Sequence, residues 1–113
     1  MVETVSEDVL VCRLDELTDG AAKLVTARGR KIALTRIGSE VFAMRDACPH
    51  KAGPLSDGRV SAARGELICP WHFFRFDVRT GASITNPELV NETYPVRVED
   101  GNVYVSIRRP AGA

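Results

Sequence analysis

The two histidines of this 113-residue chain each follow a cysteine closely. One segment reads Cys-Pro-His at 48–50, and the other reads Cys-Pro-Trp-His at 69–72. Thiolate and imidazole are ligands of transition metals, and loops on a rigid scaffold can bring two such pairs together. Because random placement would rarely give both histidines such matched settings, we predict that Cys48, His50, Cys69 and His72 bind one metal centre.

Two chemistries use a set of two cysteines and two histidines. Structural zinc does so, but typical zinc sites pair Cys with Cys and His with His, whereas both pairs here are mixed. A [2Fe–2S] cluster with two histidines on one iron fits the mixed pairs best. The alternatives that stay open are a zinc-stabilised interaction module without a redox role and core cysteines beside incidental histidines. Cys12 lies in an apolar run without a nearby histidine, and we expect it to be a small buried hydrophobe.

The elements that must position these residues are short strands. Strand patterns cover 9–13, 23–27, 31–37, 41–44, 94–98 and 103–107. Tight hairpin turns are predicted at Arg28-Gly29-Arg30 and at the Asp-Gly pair 100–101. No helical stretch is convincing beyond one turn within Asp15 to Gly20. We therefore predict an all-β, antiparallel sandwich or partly open barrel forming a single domain over 1–113, with loose ends at 1–6 and 109–113.

A stretch rich in glycine and proline, from Asp46 to Trp71, interrupts this rhythm and carries both Cys-Pro pairs. Such a long excursion inside a compact β domain is uncommon unless it has a function. Asp77 with Arg79-Thr80-Gly81 predicts a hairpin turn after the second Cys-Pro segment. Asn86-Pro87 is either an ordinary turn or a third loop that shields the metal centre.

Charge and hydropathy exclude several classes of function. The 15 basic and 15 acidic residues balance, which gives no support for nucleic-acid binding. No apolar run approaches the roughly 20 residues of a membrane span. The acidic N-terminus lacks the basic start of a secretory signal, so we expect a cytoplasmic protein. Six basic residues against four acidic ones between Arg45 and Arg79 form either a docking patch for an acidic partner or a solvated surface.

The segments 48–58 and 69–77 resemble the two cluster loops of Rieske proteins, and similarity to the soluble Rieske ferredoxins extends over roughly Asp8 to Ile107. The resemblance implies a β-sandwich base and a smaller, rubredoxin-like cluster-binding subdomain at about 45–77. It implies one [2Fe–2S] cluster, with Cys48 and Cys69 on the inner iron and His50 and His72 on the outer, more exposed iron.

The resemblance also bears on the reduction potential. Respiratory Rieske proteins have an extra cysteine in each loop and Ser and Tyr hydroxyls near the cluster. This chain has Lys51 or a neighbour and Trp71 in place of the cysteines, and Phe74 and Phe76 in place of the hydroxyls. Without those donors the reduced cluster is less stabilised, which predicts the low end of the Rieske range of about −150 to +300 mV. Gly53 is expected to let the backbone approach the cluster, Phe74 and Phe76 to pack, and Trp71 either to pack or to be exposed.

The function that the resemblance implies is electron transfer rather than catalysis. We expect a ferredoxin that carries single electrons from a flavin reductase to a terminal, ring-hydroxylating oxygenase and docks transiently at the His50/His72 edge. The alternative is the small Rieske subunit of an assimilatory NAD(P)H nitrite reductase, because the opening Cys48-Pro49-His50-Lys51 looks like that group. Co-purification with a large sirohaem subunit would favour the alternative.

Overall fold

The protein is described by a computed structural model over residues 4–49, 52–71 and 73–110. The described residues form ten strands and two single-turn 3₁₀ helices, Leu14–Glu16 and Leu55–Asp57. The strands are β1 Thr4–Arg13, β2 Ala21–Ala27, β3 Arg30–Ile37, β4 Glu40–Arg45, β5 Arg59–Ser61, β6 Glu66–Ile68, β7 Arg75–Asp77, β8 Thr93–Tyr94, β9 Val96–Glu99 and β10 Asn102–Pro110. Neither helix in this part of the chain is long and apolar enough to cross a membrane.

The strands form three antiparallel sheets. The outer sheet has the order β1-β10-β9, the middle sheet β2-β3-β4-β8, and the small sheet β5-β6-β7. The predicted all-β, antiparallel fold class is confirmed.

A sandwich core lies between the outer and middle sheets. Alternate residues of β3, Ile32 and Leu34, pack there against Val103, Val105 and Ile107 of β10. This follows from the period of two along a strand, which sends every second side chain to the same face. All five side chains are almost completely buried.

The middle sheet is buried on its other face as well. Ala33 of β3 and Met44 of β4 belong to a second core, the loop-side core, together with Leu55, Leu67 and Phe76. Residues 32–35 are therefore all buried, unlike a strand with one solvated face. The small sheet and the glycine- and proline-rich loops thus pack on one face of the middle sheet, and the sandwich core lies on its other face.

Both predicted hairpin turns are confirmed. Arg28 and Gly29 have φ angles of 51° and 76°, and Asp100 and Gly101 have φ angles of 52° and 76°. Two consecutive positive φ angles match the right-handed twist of the flanking strands, which is why such short turns connect antiparallel neighbours.

Three expectations about the elements need correction. The strand predicted over 94–98 is two strands in different sheets, because the chain passes at Pro95 from the middle sheet to the outer one. The ends predicted to be loose belong partly to strands, since Thr4 pairs with Pro110 across β1 and β10. The excursion from 46 to 71 also contains β5 and β6. The first two depend on pairing between distant segments, which local patterns do not reveal, whereas β5 and β6 pair with each other as a local hairpin.

Candidate metal centre

The first loop, residues 46–54, is closed by hydrogen bonds around Cys48. The Cys48 N–H donates to the Gly53 carbonyl at 2.9 Å, and the Ala52 N–H donates to the Cys48 carbonyl at 2.6 Å. Ala52 has a φ of 58°, a left-handed conformation that is uncommon outside glycine. The cysteine therefore begins a tight backbone turn.

The second loop, residues 69–74, repeats this design between β6 and β7. The Cys69 N–H donates to the Phe74 carbonyl at 2.8 Å, and the Phe73 N–H donates to the Cys69 carbonyl at 3.1 Å. Phe73 has a φ of 60° and occupies the position equivalent to Ala52. Each cysteine thus donates to the fifth residue after it and accepts from the fourth.

The two loops bring the two cysteines together. Both are buried, with exposed fractions of 2% for Cys48 and 1% for Cys69, in the loop-side core. The Cys48 side chain lies close enough to that of Cys69 to raise the pKa of the Cys69 thiol. His50 and His72, the other two predicted ligands, lie outside the described residues.

The surroundings of Cys69 influence its ionisation. Burial raises the pKa of this thiol, the Trp71 backbone N–H opposes the rise by donating to the sulfur, and the Cys48 thiol adds to the rise. Metal ligation requires thiolates, so a positive metal centre must offset the cost of burying the charge. Two thiols buried in the same core, with an amide near one sulfur, suit such a centre. Within the described residues, no three Cys, Asp or Glu side chains come together to hold a metal.

Gly53 lies where the two loops touch. A Cβ atom at this position would be 2.9 Å from the Cys69 sulfur and 3.1 Å from the Trp71 ring. Contacts below about 3 Å are essentially excluded for real side chains. The structure therefore explains why glycine is needed at position 53, which the sequence alone did not: the absence of a side chain leaves room for Cys69 and Trp71.

The aromatic residues of the second loop divide between packing and exposure. Phe76 is fully buried and Phe74 packs partly against the loop-side core, which confirms the expected packing. Trp71 is 49% exposed although its ring approaches Gly53, and Phe73 is 74% exposed. The surface beside Cys69 is consequently aromatic.

Two polar side chains that the sequence analysis did not single out hold the first loop. Asp46 accepts hydrogen bonds from the Ser56 N–H at 2.6 Å and the Ser56 hydroxyl at 3.0 Å. The buried Asn91 donates its side-chain N–H to the Arg45 carbonyl at 2.8 Å, immediately before the loop. Asp46 lies two positions before Cys48, which was a usable signal. Asn91 is brought near only by the fold and gave no local signal.

We expect Asp46→Ala to weaken the first loop without unfolding the protein. The Ser56 N–H and hydroxyl would lose a charged acceptor, and a hydrogen bond to a charged group contributes about 1.5–3 kcal/mol. The matched control is Asp57→Ala, because Asp57 is exposed and its described hydrogen bond comes from its backbone N–H. Thermal unfolding followed by circular dichroism should show a lower Tm for Asp46→Ala alone. Equal Tm values for the two variants would contradict the assigned role.

The remaining predicted features are placed as follows. The turn after Asp77 is present, since the Asp77 carboxylate accepts from the Arg79 N–H at 2.8 Å. A turn also follows Asn86, whose carbonyl accepts from the Leu89 N–H at 3.0 Å. Cys12 is half-buried at a register shift in β1, so the expected burial is only partial.

Some of the basic residues between 45 and 79 form ion pairs with carboxylates. Arg75 pairs with the buried Glu66 at 3.4 Å. Arg79 pairs with Glu40 at 3.3 Å and lies 4.9 Å from the centre of the Phe42 ring. Two of the six positive charges are thus matched by carboxylates.

Comparisons with known proteins agree with this geometry. Residues 7–105 match the family model described as Rieske [2Fe-2S] domain. The anthranilate 1,2-dioxygenase ferredoxin subunit of Burkholderia cepacia is 41% identical over 98 residues, covering 83% of this chain and 86% of that protein. The ferredoxin of carbazole 1,9a-dioxygenase from Nocardioides aromaticivorans IC177 is similar with a TM-score of 0.83 and 33% identity, covering 87% and 95%. A structure assigned as a nitrite reductase NADPH small subunit is similar with a TM-score of 0.79 and 29% identity. The match covers 88% of this chain and 97% of that one.

Proposed function

Because the chain belongs to the Rieske [2Fe-2S] family, we propose that it is a one-electron carrier whose cluster is held by Cys48, His50, Cys69 and His72. The observation that carries the proposal is the pair of matched loops whose cysteines are buried together in the loop-side core. Members of this family bind a Rieske-type cluster, with the cysteines on one iron and the histidines on the other. The proposed cluster-binding subdomain covers about 45–77 within a single domain.

The ligand set suits repeated one-electron transfer. Two ferric ions, two sulfides and two thiolates sum to zero if both imidazoles are neutral, so reduction adds charge to a neutral centre. The cluster, when bound, supplies this one-electron redox chemistry. Phe76 is fully buried and Phe74 partly so, and neither offers a hydroxyl to stabilise the reduced state. We therefore propose a potential at the low end of the family range of about −150 to +300 mV.

The partners are proposed from the relatives. Two of the similar proteins are named as ferredoxins of dioxygenase systems, hence as electron-transfer components of such systems. We propose that this chain likewise passes electrons to a terminal, ring-hydroxylating oxygenase and receives them from a flavin reductase. Both partners would dock in turn at the His50/His72 edge. The cytoplasm is the proposed compartment, in keeping with cysteines used for metal rather than for disulfides.

A second candidate keeps the cluster and changes the partner. The similarity to a structure assigned as a nitrite reductase small subunit favours it, as does the Cys48–Lys51 opening. In that case the chain would co-purify with a large sirohaem subunit instead of binding its partners transiently.

The test of the cluster uses all three cysteines. The protein purified without oxygen should be red-brown and, after dithionite, give the spin-one-half EPR signal of a reduced Rieske cluster. Cys48→Ser and Cys69→Ser should lose the visible absorption and the iron. Cys12→Ser is the matched control and should keep both, because Cys12 lies in β1 of the outer sheet. A colourless wild-type protein containing zinc would overturn the proposal.

A further inference from the structure

A cleft of about 360 Å³ lies beside the first loop. Its walls come from the start of β3, the end of β4 and the two residues that precede Cys48, namely Asp46 and Ala47. Asp46 is tied to β3 by its N–H, which donates to the Lys31 carbonyl at 3.0 Å. The cleft is therefore fixed to the backbone that leads directly into the candidate metal centre.

The carboxylates of the cleft are already engaged. Asp46 accepts two hydrogen bonds from Ser56. Glu92 accepts from the Tyr94 hydroxyl at 3.0 Å and lies 3.9 Å from the Arg30 guanidinium. Glu92 is therefore shared with Arg30, whereas the neutral Ser56 leaves the negative charge of Asp46 in place.

The cations of the cleft are only partly neutralised. Arg30, Lys31 and Arg45 line it, and all three are exposed. Arg30 shares Glu92, but the side chains of Lys31 and Arg45 have no hydrogen-bond or ion-pair partner among the described residues. Arg108, which lines the adjoining groove, is likewise exposed and lacks a described side-chain partner. Three cations line the cleft against the two carboxylates of Asp46 and Glu92, so the cleft carries a net positive charge although the whole chain is neutral.

We propose that this basic cleft, defined by Arg30, Lys31 and Arg45, is a docking surface for the carboxylates of an acidic redox-partner protein. The inference rests on the proposed electron-transfer function. Complementary charges raise the rate of encounter and fix its orientation. A partner held there lies against Asp46 and Ala47, next to Cys48, so docking places it beside the proposed cluster-binding loop. This surface differs from the basic patch considered in the sequence analysis. Of those six residues it includes Arg45, which lies beside Arg30 and Lys31 of β3.

The test measures how the charge of a small oxidant affects its reaction with the reduced cluster. Ferricyanide takes one electron from the cluster and becomes ferrocyanide, and cationic tris(phenanthroline)cobalt(III) takes one electron and becomes the cobalt(II) complex. The test protein is a double variant that carries both Lys31→Gln and Arg45→Gln, and the control is the single variant Arg64→Gln. Arg64 is exposed in the turn between β5 and β6, at the end of β6 away from Cys69.

The double variant should react more slowly with ferricyanide and faster with the cobalt complex. For a closest approach of about 15 Å, two charges fewer should slow ferricyanide about fivefold at 10 mM ionic strength and about twofold at 0.1 M. A ten-residue polyglutamate peptide should slow the ferricyanide reaction of the wild type and not that of the double variant. Arg64→Gln should leave every rate unchanged.

Each outcome separates the docking surface from the electron-transfer function. The visible and EPR spectra and the reduction potential are recorded first, and a wild type without a cluster would overturn the proposed function itself. With an intact cluster, equal ferricyanide rates for wild type and double variant would overturn the docking surface. An equal effect of Arg64→Gln would do the same, because the field would then be a property of the whole surface.

Discussion

Replacing Gly81 with alanine is expected to destabilise the protein by more than about 4 kcal/mol or to prevent folding, an effect in the exceptional range for one substitution. Gly81 has a φ of 78°, and a Cβ atom there would lie 2.1 Å from the Asn91 carbonyl oxygen and 3.0 Å from the Thr93 side chain. The Asn91 N–H also donates to the Gly81 carbonyl at 2.8 Å. The backbone of Asn91 cannot withdraw without breaking that bond.

The consequence should reach the first loop. The side chain of Asn91 is buried and holds the Arg45 carbonyl, so a displaced Asn91 would release the end of β4 just before Cys48. Gly81 therefore supports the candidate metal centre indirectly, through the buried side-chain amide of Asn91.

Gly38→Ala is the matched control for this prediction. Gly38 also has a positive φ, 64°, but an added Cβ would meet no atom within 4 Å. Its cost is limited to the backbone strain of alanine in the left-handed region, about 1 kcal/mol. Thermal unfolding by circular dichroism should show a small drop in Tm for Gly38→Ala and a large one, or no folded protein, for Gly81→Ala. Similar Tm values would mean that only φ matters at these sites.

Local chemistry explains what the sequence could predict about the fold. The turns at 28–29 and 100–101 were predictable because a glycine and its neighbour set the φ angles whatever surrounds them. The split at Pro95 was not, because it depends on β8 pairing with β4 while β9 pairs with β10. The register of β1 against β10 joins residues about a hundred positions apart and leaves no mark on either segment.

The same division applies to the candidate site. The two Cys-Pro segments predicted a metal centre because the four candidate ligands lie close together in the sequence. The groups that hold the loops do not: Asn91 reaches Arg45 across 46 positions, and Lys31 and Arg45 line one cleft because β3 pairs with β4. Motifs thus indicate the candidate ligands, whereas the tertiary contacts that support them are visible only in the fold.

Gly53→Ala is expected to remove most of the cluster while leaving the sandwich folded. The added Cβ would lie 2.9 Å from the Cys69 sulfur and 3.1 Å from two atoms of the Trp71 ring. Cys69 is buried and its N–H is fixed to the Phe74 carbonyl, so the sulfur has little room to move. The two loops would have to separate, and the thiols of Cys48 and Cys69 would no longer hold one centre.

The control here is Gly65→Ala, in the turn before β6. Gly65 has a φ of 67° and its Cβ would approach only a Val78 methyl at 4.0 Å, so strain of about 1 kcal/mol is expected with the cluster retained. Gly53 does not have a positive φ, so its replacement tests the contact and not the backbone. Iron and sulfide per chain, with the visible absorption, should fall at least severalfold for Gly53→Ala and remain near wild type for Gly65→Ala.

A double variant identifies which contact matters. Trp71→Leu in the Gly53→Ala background removes the ring and leaves the Cys69 sulfur in place. Because the sulfur is the nearer and less movable atom, we expect the double variant to stay depleted of iron, with circular dichroism showing the strands intact in both proteins. Restored iron would show instead that the Trp71 ring alone sets the spacing of the loops, and a full cluster in Gly53→Ala itself would show that the loops tolerate a side chain where they meet.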